Sequence, residues 1–177
     1  KERMGIGISR IRGIERVSSP YFYFMDADDT LAPDCLETLL NAARETHADC
    51  VNCSFSYIKG KKGKAHYYPF AKNAVLGRKN ILKTYFDDAS IRGFCWTKLY
   101  KTSIAKKRPL LVLGAPLDMQ FEDVALNCSL LSYCDKVVLL KRSLYYYDKT
   151  NSGSAMSVTR KNRTFRHLVV FALVRYF

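Results

Sequence analysis

The amino-acid sequence predicts a mixed α/β domain, and three observations support that prediction. A short aromatic segment at residues 21–25 follows Pro20 and has the apolar character of a buried strand. Segments with helical spacing of apolar residues are interspersed along the chain with strand-like segments. Glycines in the basic segment at residues 59–64 predict the tip of a hairpin between two strands. With 177 residues, of which 48% are hydrophobic, the chain can bury a core of its own.

Two predicted helices flank the aromatic strand. Apolar residues recur near helical spacing over residues 5–17, which predicts the first helix. The Ser-Ser-Pro sequence at residues 18–20 ends that helix, because proline cannot continue it. Pro33 suits the first turn of the second helix. The buried stripe of the second helix is expected to contain Leu36, Leu39, Leu40 and Ala43.

The remaining helices are predicted from helical spacing of apolar residues, and the remaining strands from alternating or aromatic stretches. Alternating or aromatic stretches predict strands over residues 49–58, 94–100, 136–140 and 144–147, with residues 65–70 as the hairpin partner of the first. Apolar periodicity predicts helices over residues 76–86, 122–133 and 157–177. Strands and helices therefore mix throughout the chain, which favours an α/β domain over a helical bundle or a β-sandwich.

Three carboxylates, Asp26, Asp28 and Asp29, come directly after the aromatic strand. Like charges packed together are costly unless a cation or a proton intervenes. Open α/β sheets bind ligands at the carboxyl ends of their strands. These facts predict a divalent metal site at the carboxyl end of this strand. The alternative is a solvated acidic turn that caps the helix beginning near Pro33.

The formal charge of +13, from 29 Lys and Arg against 16 Asp and Glu, favours anionic partners such as nucleotide phosphates or lipid headgroups. A basic nucleic-acid-binding domain is therefore an alternative, although no recognised nucleic-acid module is visible. Cys50 and Cys53 form a lone Cys-x-x-Cys within a predicted strand, where they would face opposite sides of the sheet. The six scattered cysteines predict reduced thiols in a cytoplasmic protein rather than a structural zinc site.

The acidic segment fits the first motif, Asp-x-Asp-x-Thr, of the haloacid dehalogenase-like phosphatases. In that family Asp26 would be the nucleophile, Asp28 the acid/base and Thr30 a phosphate contact. That chemistry also needs an acidic metal pair further along the chain, and the sequence has no such pair. This family therefore remains an alternative.

A second family resembles more of the chain. The segment at residues 5–13, with Arg10 and Gly13, followed by residues 21–29, resembles the centre of the family 2 glycosyltransferases. Trp96-Thr-Lys-Leu-Tyr resembles that family's Trp-x-Lys-Leu-Tyr strand, and Glu122-Asp resembles its Glu-Asp pair at a helix start. Residues 145–154 resemble its Tyr-x-Tyr-x-x-Arg-x-x-Ser-x-Ser segment. Four short motifs in family order make a specific signal. Two positions depart from the family, because Ile11 stands where Asn is usual and Lys149 where Arg is usual.

The resemblance implies a GT-A (Rossmann-like) mixed sheet flanked by helices, and a metal-dependent, inverting transfer of a sugar. A nucleoside-diphosphate sugar would be the donor, and a hydroxyl of a glycan or lipid-linked acceptor in surface polysaccharide synthesis would receive the sugar. Mn²⁺ or Mg²⁺ would neutralise the departing diphosphate.

The resemblance also implies roles for particular residues. Asp28 would contact the metal, and Asp26 the donor ribose or a metal-bound water. Asp123 would be the catalytic base, with Glu122 as the runner-up. Asp29 would support the metal or contact the transferred sugar, and Trp96 would contact the sugar or the acceptor. The remaining donor and diphosphate contacts would be Arg10, Lys98, Lys149, Ser152 and Ser154.

The family's usual first strand has no counterpart before Gly5. We therefore expect residues 1–156 to be a partial catalytic domain, incomplete at its N-terminus. The exposed sheet edge would then need a partner, a missing segment or self-association. Residues 157–177 predict a basic amphipathic helix. It either lies on the inner face of the membrane, which would place this cytoplasmic protein near a lipid-linked acceptor, or packs on its own domain.

Overall fold

A computed structural model describes residues 5–59, 64–68, 73–87, 91, 93–106 and 122–149. The helices are α1 (Gly5–Arg16), α2 (Cys35–Thr46), α3 (Arg78–Asp87), α4 (Thr102–Ala105) and α5 (Glu122–Ser132). The strands are β1 (Tyr21–Tyr23), β2 (Thr30–Leu31), β3 (Cys50–Lys59), β4 (Lys64–Tyr68), β5 (Ala74–Gly77), β6 (Lys98–Lys101) and β7 (Lys136–Asp148). A 3₁₀ turn, Cys95–Thr97, leads into β6. The prediction of a mixed α/β fold is confirmed.

The strands form one mixed sheet. Its order is β1-β6-β3-β7-β2, with β4 on β3 and β5 on β7. The long strands β3 and β7 run parallel, and the other pairs are antiparallel. Strand β2 pairs with the last part of β7, so the acid turn at residues 26–29, directly before β2, lies beside the end of β7 although the two are far apart in sequence.

Helices cover both faces of the sheet. Helices α1, α3 and α5 pack on one face, where Ile14, Ile81 and Leu130 are buried. Helix α2 packs on the other face, where Leu39 is fully buried. Cys50 lies in the first core and Cys53 in the second, which confirms that these two cysteines face opposite sides of the sheet. Each fully buried aliphatic side chain stabilises the fold by about 1.5–3 kcal/mol.

Several sequence-based boundaries were wrong. The stripe of α2 is Cys35, Leu39 and Ala43, while Leu36 is 51% exposed because it lies one residue past that face. Residues 95–97 form a 3₁₀ turn instead of the first half of a strand. Residues 74–77, ahead of α3, form the unpredicted strand β5.

The two strands predicted over residues 136–147 are one continuous strand, β7. Its register against β3 passes from Cys53↔Leu140 to Ser54↔Ser143. Two additional residues of β7, Lys141 and Arg142, are therefore accommodated at a bulge, where both are exposed. This polar pair interrupts the apolar pattern without ending the strand.

Among the described residues, β1 pairs with β6 alone and lies at one end of the sheet. Completion of this edge by a partner, a missing segment or a second copy stays a prediction. The predicted helix over residues 157–177 and the boundary at residue 156 lie outside the described residues. No helix in the described part of the chain combines the length and apolar character needed to cross a membrane.

Candidate active site

The acid turn, residues 26–29, follows β1 and leads into β2. The amide of Asp29 donates to the carbonyl of Asp26 at 3.3 Å, which closes the turn. The turn separates its three carboxylates: Asp28 is exposed, Asp26 is partly buried and Asp29 is buried. The residues predicted to hold a metal, Asp26 and Asp28, are therefore the two whose carboxylates are accessible.

Asp29 is held by groups of β7. The hydroxyl of Tyr145 donates to one carboxylate oxygen, and the amide of Asp148 donates to the other at 2.8 Å. Burial is the main cause that raises the pKa of Asp29, and it outweighs these two hydrogen bonds to the charged form. Asp29 is therefore a buried residue next to the site.

Arg10, on α1, joins the acid turn to the start of α5. Its guanidinium lies 3.3 Å from an oxygen of Asp26 and 2.6 Å from an oxygen of Glu122. The side chains of Arg10 and Glu122 are only 10% and 14% exposed. Burial works against the charged form, but the surrounding acidic groups outweigh it and raise the pKa of Arg10. Arg10 thus brings together two other residues that the sequence predicted for the site, Asp26 and Glu122.

The first turn of α5 carries Glu122 and Asp123 and is anchored through Asn127 and Tyr85. The side-chain amide of Asn127 donates to the carbonyls of Gly93, at 2.7 Å, and Asp123, at 2.9 Å. The hydroxyl of Tyr85 donates to the carbonyl of Val124. Together these contacts fix the backbone from which the predicted base projects.

The pKa of Asp123 is raised to about 6. Burial is the largest cause, and the neighbouring charge of Glu122 adds to it, while Arg10 acts in the opposite direction. A carboxylate with this pKa is ionised at neutral pH yet basic enough to accept a proton from a reacting hydroxyl. The acidity of Asp123 suits the role of base, and that role stays a prediction.

Lys98 lies beneath the site. The residue has no exposed surface, and its ammonium donates to the carbonyl of Phe94 at 2.6 Å and to the hydroxyl of Thr97 at 3.1 Å. Burial lowers the pKa of Lys98 to about 8. These contacts hold the 3₁₀ turn before β6. Contact of Lys98 with a diphosphate stays a prediction.

Trp96 packs within an aromatic cluster. Its ring stacks on Tyr145 at 4.4 Å and on Phe94 at 4.5 Å, and Phe55 meets it edge-on at 4.9 Å. Only 6% of Trp96 is exposed, so the structure supports a packing role. Contact of Trp96 with a sugar stays a prediction.

The last predicted contacts lie after β7. The ammonium of Lys149 sits 3.8 Å from the ring centroid of Tyr57, and the residue is exposed. The structure does not show Lys149 in contact with Arg10, Asp26 or Glu122. Ser152 and Ser154 lie outside the described residues.

The described residues contain no group of three or more His, Cys, Asp or Glu side chains that could hold a metal ion. The two accessible carboxylates of the acid turn still fit Mg²⁺ or Mn²⁺, because such ions are often held by one or two protein carboxylates together with substrate phosphates. Asp29 does not fit as a third ligand, since it is buried and its carboxylate is turned toward Tyr145 and the amide of Asp148.

Sequence analysis did not identify Asn127, Tyr145 or Tyr85 as parts of the site. Asn127 could have been noticed, because it is a polar residue one turn after Asp123 in an otherwise apolar stretch of α5. Tyr145 belongs to the Tyr-x-Tyr motif, whose function the motif alone does not reveal.

Relatives of the chain are glycosyltransferases. EpsH of Bacillus subtilis (strain 168), which is named as a glycosyltransferase, is 28% identical over 149 residues, covering 83% of this chain and 42% of EpsH. The glycosyltransferase GlyA of Streptococcus pneumoniae serotype 4 is 25% identical over 165 residues, covering 89% of this chain and 23% of GlyA. The chain thus spans less than half of each relative.

The crystal structure of S. aureus TarS 1–349 in complex with UDP-GlcNAc shares the fold. It aligns with a TM-score of 0.70 at 16% identity, covering 99% of this chain and 47% of TarS. This likeness confirms the predicted α/β fold with a central mixed sheet flanked by helices. Residues 1–108 match the family model described as glycosyl transferase family 2. The chain, with Arg10 joining its acid turn to the Glu122-Asp123 pair, belongs to glycosyl transferase family 2.

Proposed function

We propose that this chain forms the catalytic-site part of a metal-dependent, inverting glycosyltransferase that uses a nucleoside-diphosphate sugar. The observation that carries this proposal is the position of Arg10 between the two acidic segments, at 3.3 Å from Asp26 and 2.6 Å from Glu122. Sugar transfer needs a group that stabilises the leaving diphosphate and a group that accepts a proton. The acid turn and the first turn of α5 supply the two groups at one site.

The acid turn is assigned to the diphosphate side. Asp26 and Asp28 would hold Mg²⁺ or Mn²⁺, and the bound ion would neutralise the charge that develops on the departing diphosphate. Arg10 keeps Asp26 from repelling its acidic neighbours and so orients the turn toward the donor. Lys149, Ser152 and Ser154 are proposed as further diphosphate contacts from the family resemblance.

Asp123 is assigned to the acceptor side. Its carboxylate takes the proton of the acceptor hydroxyl while that oxygen attacks the anomeric carbon. Attack from the face opposite the leaving diphosphate inverts the configuration at that carbon. Glu122 holds Arg10 through its carboxylate, which favours Asp123 over Glu122 as the base.

The donor class is supported by TarS, whose crystal structure contains UDP-GlcNAc. We extend this support only to a nucleoside-diphosphate sugar as donor. A hydroxyl of a glycan or lipid-linked acceptor is proposed from the resemblance, as is a cytoplasmic location at the inner face of the membrane.

The test uses the full chain together with any flanking sequence it has in its natural protein. Release of nucleoside diphosphate from a panel of nucleotide sugars is measured with and without Mn²⁺. We expect Asp28→Ala and Asp123→Ala to abolish turnover, and only Asp28→Ala to weaken Mn²⁺-dependent donor binding. The control is Asp87→Ala, since Asp87 is exposed and forms a local ion pair with Lys83. Equal loss of donor binding in both site variants would contradict the assigned roles.

A further inference from the structure

We propose that Asp29 is a positioning residue that, with Tyr145, fixes the acid turn to the end of β7. This inference rests on the proposed function, since the turn is the part assigned to the metal and the diphosphate. It replaces the expectation from the family resemblance that Asp29 contacts the transferred sugar.

Burial and hydrogen bonds within the protein together disfavour contact of Asp29 with a substrate. Tyr145 and the amide of Asp148 each occupy one carboxylate oxygen, and Asp29 is only 5% exposed. A sugar hydroxyl would have to approach oxygens that already accept bonds within the protein. The position of Asp29 therefore favours a structural link over a substrate contact.

Tyr145 ties both ends of the acid turn with a single hydroxyl. This oxygen accepts the amide proton of Asp26 at 3.3 Å and donates its own proton to Asp29. The ring of Tyr145 has no exposed surface and stacks on Trp96, so the hydroxyl is held in one place. The turn thus takes its shape from a rigid point in the core.

The neighbouring strands support the same attachment. Directly after the turn, β2 pairs with β7 through Thr30↔Tyr146 and Leu31↔Tyr145. Asp148 is the last residue of β7, and Lys149, a proposed diphosphate contact, follows it. Asp29 therefore connects residues 26–28 of the proposed donor site to the end of β7 at Asp148.

The arrangement has a consequence for the metal. Because Asp29 is turned inward, the accessible carboxylates of the turn are those of Asp26 and Asp28. Loss of the link would allow the turn to sample other shapes, so the metal would be held less tightly. Groups that orient metal ligands typically change metal affinity by about 10–100-fold when they are removed.

The experiment measures Mn²⁺ binding in the presence of UDP, by the electron paramagnetic resonance signal of free Mn²⁺. Tyr145→Phe removes the hydroxyl and keeps the ring, and Asp29→Ala removes both acceptors. We expect each variant to raise the dissociation constant of Mn²⁺ by about tenfold. Asp29→Asn keeps an acceptor for the amide of Asp148 and should raise the dissociation constant of Mn²⁺ by less than Asp29→Ala does. The matched control is Tyr146→Phe, which changes the neighbouring, partly buried tyrosine.

A double variant tests whether Asp29 acts through its hydrogen bond with Tyr145 or independently of that residue. If Tyr145 and Asp29 act through one link, the loss of Mn²⁺ binding in the double variant Tyr145→Phe with Asp29→Ala should be smaller than the two single losses combined, because both single changes break the same hydrogen bond. Additive losses, or a loss in Asp29→Ala with Mn²⁺ binding unchanged in Tyr145→Phe, would overturn the inference.

Hydrogen exchange tests the link without any metal. Tyr145→Phe should speed amide exchange in residues 26–31 and 145–149 together, and the control should not. Unchanged exchange would overturn the inference. If the wild-type protein binds no Mn²⁺ with UDP, the metal dependence in the proposed function fails, and the exchange result still decides the role of Asp29.

Discussion

Arg10 and Glu122 form an ion pair of 2.6 Å across 112 residues of sequence. The same guanidinium reaches Asp26, so one side chain of α1 holds the acid turn and the first turn of α5. The three groups are mostly buried, and like charges on Asp26 and Glu122 would repel each other without the guanidinium between them. The two acidic segments of the site therefore depend on one cation for their relative placement.

Removal of this cation should affect both stability and turnover. Arg10→Met leaves Glu122 and Asp26 without their common partner in a mostly buried setting. We expect the free energy of unfolding to fall by about 2–4 kcal/mol, since breaking a largely buried ion pair leaves uncompensated charge. Urea denaturation measures the loss, and nucleoside-diphosphate release should fall at least tenfold in the same variant.

Two control variants separate this bridge from charge alone. Lys83→Met breaks an exposed ion pair with Asp87 and should change the free energy of unfolding by less than about 1 kcal/mol. Arg10→Lys keeps the positive charge but cannot contact both carboxylates through one planar group. Full activity in Arg10→Lys would show that the geometry of the bridge is unimportant.

The pH dependence of turnover should report Asp123. Its pKa of about 6 predicts that kcat/KM rises with pH through about 6 and then levels off, because the ionised form acts as the base. The rise should disappear in Asp123→Asn, together with most of the activity. An unchanged inflection in the residual activity of that variant would assign it to another group.

Asp123 should also make the free energy of unfolding depend on pH. Its pKa in the folded protein is raised from 3.8 to about 6, so the folded state binds the proton more tightly than the unfolded chain. The stabilising contribution is present below pH 3.8 and is lost as pH rises to about 6. Over that interval, wild type should lose stability relative to Asp123→Asn, as measured by urea denaturation at successive pH values.

Local patterns in the sequence predicted where helices and strands occur better than they predicted which elements pack or pair with each other. Helical periodicity located α1, α2 and α5, because a buried face requires apolar residues at that spacing. Periodicity does not say which face a residue at its margin joins, so Leu36 was placed inside although it is exposed. The bulge at Lys141 and Arg142 similarly hid the continuity of β7.

The order of the motifs indicated which acidic segments form the site. The contacts that hold these segments in place became visible only in the fold. Arg10, Asp26 and Glu122 were predicted for separate roles, yet their contact depends on packing between α1 and α5 that no local pattern encodes. Lys98 would ordinarily be expected near the surface, and its complete burial goes with its place on β6, which has a neighbouring strand on each side. Tyr145 and Asn127 act through hydrogen bonds between distant segments.

Lys98→Met should remove a pH-dependent cost of folding. The pKa of Lys98 in the folded protein is about 8, below its ordinary 10.5, so the unfolded chain binds more protons between these pH values. Wild type should therefore gain about 2–3 kcal/mol of stability relative to Lys98→Met as pH rises from 8 to 10.5. Urea denaturation of both proteins measures the difference, and a pH-independent difference would contradict the lowered pKa.

Gly93→Ala should disturb the site through the first turn of α5. A Cβ atom at this position would lie 2.8 Å from a methyl group of Val124, closer than real contacts allow. Val124 is β-branched and stiff, so the helix start must shift, and Asp123 precedes it directly. We expect turnover to fall about tenfold or more, since small displacements of a catalytic group are costly.

Two further variants identify the clash as the cause. Gly77→Ala is the matched control, because nothing lies within 4 Å of its added Cβ, and it should leave turnover unchanged. Val124→Ala removes the methyl group that Gly93→Ala meets, so the double variant should recover much of the activity lost in Gly93→Ala. If Val124→Ala gives no recovery, the close approach of Gly93 to α5 does not set the position of Asp123.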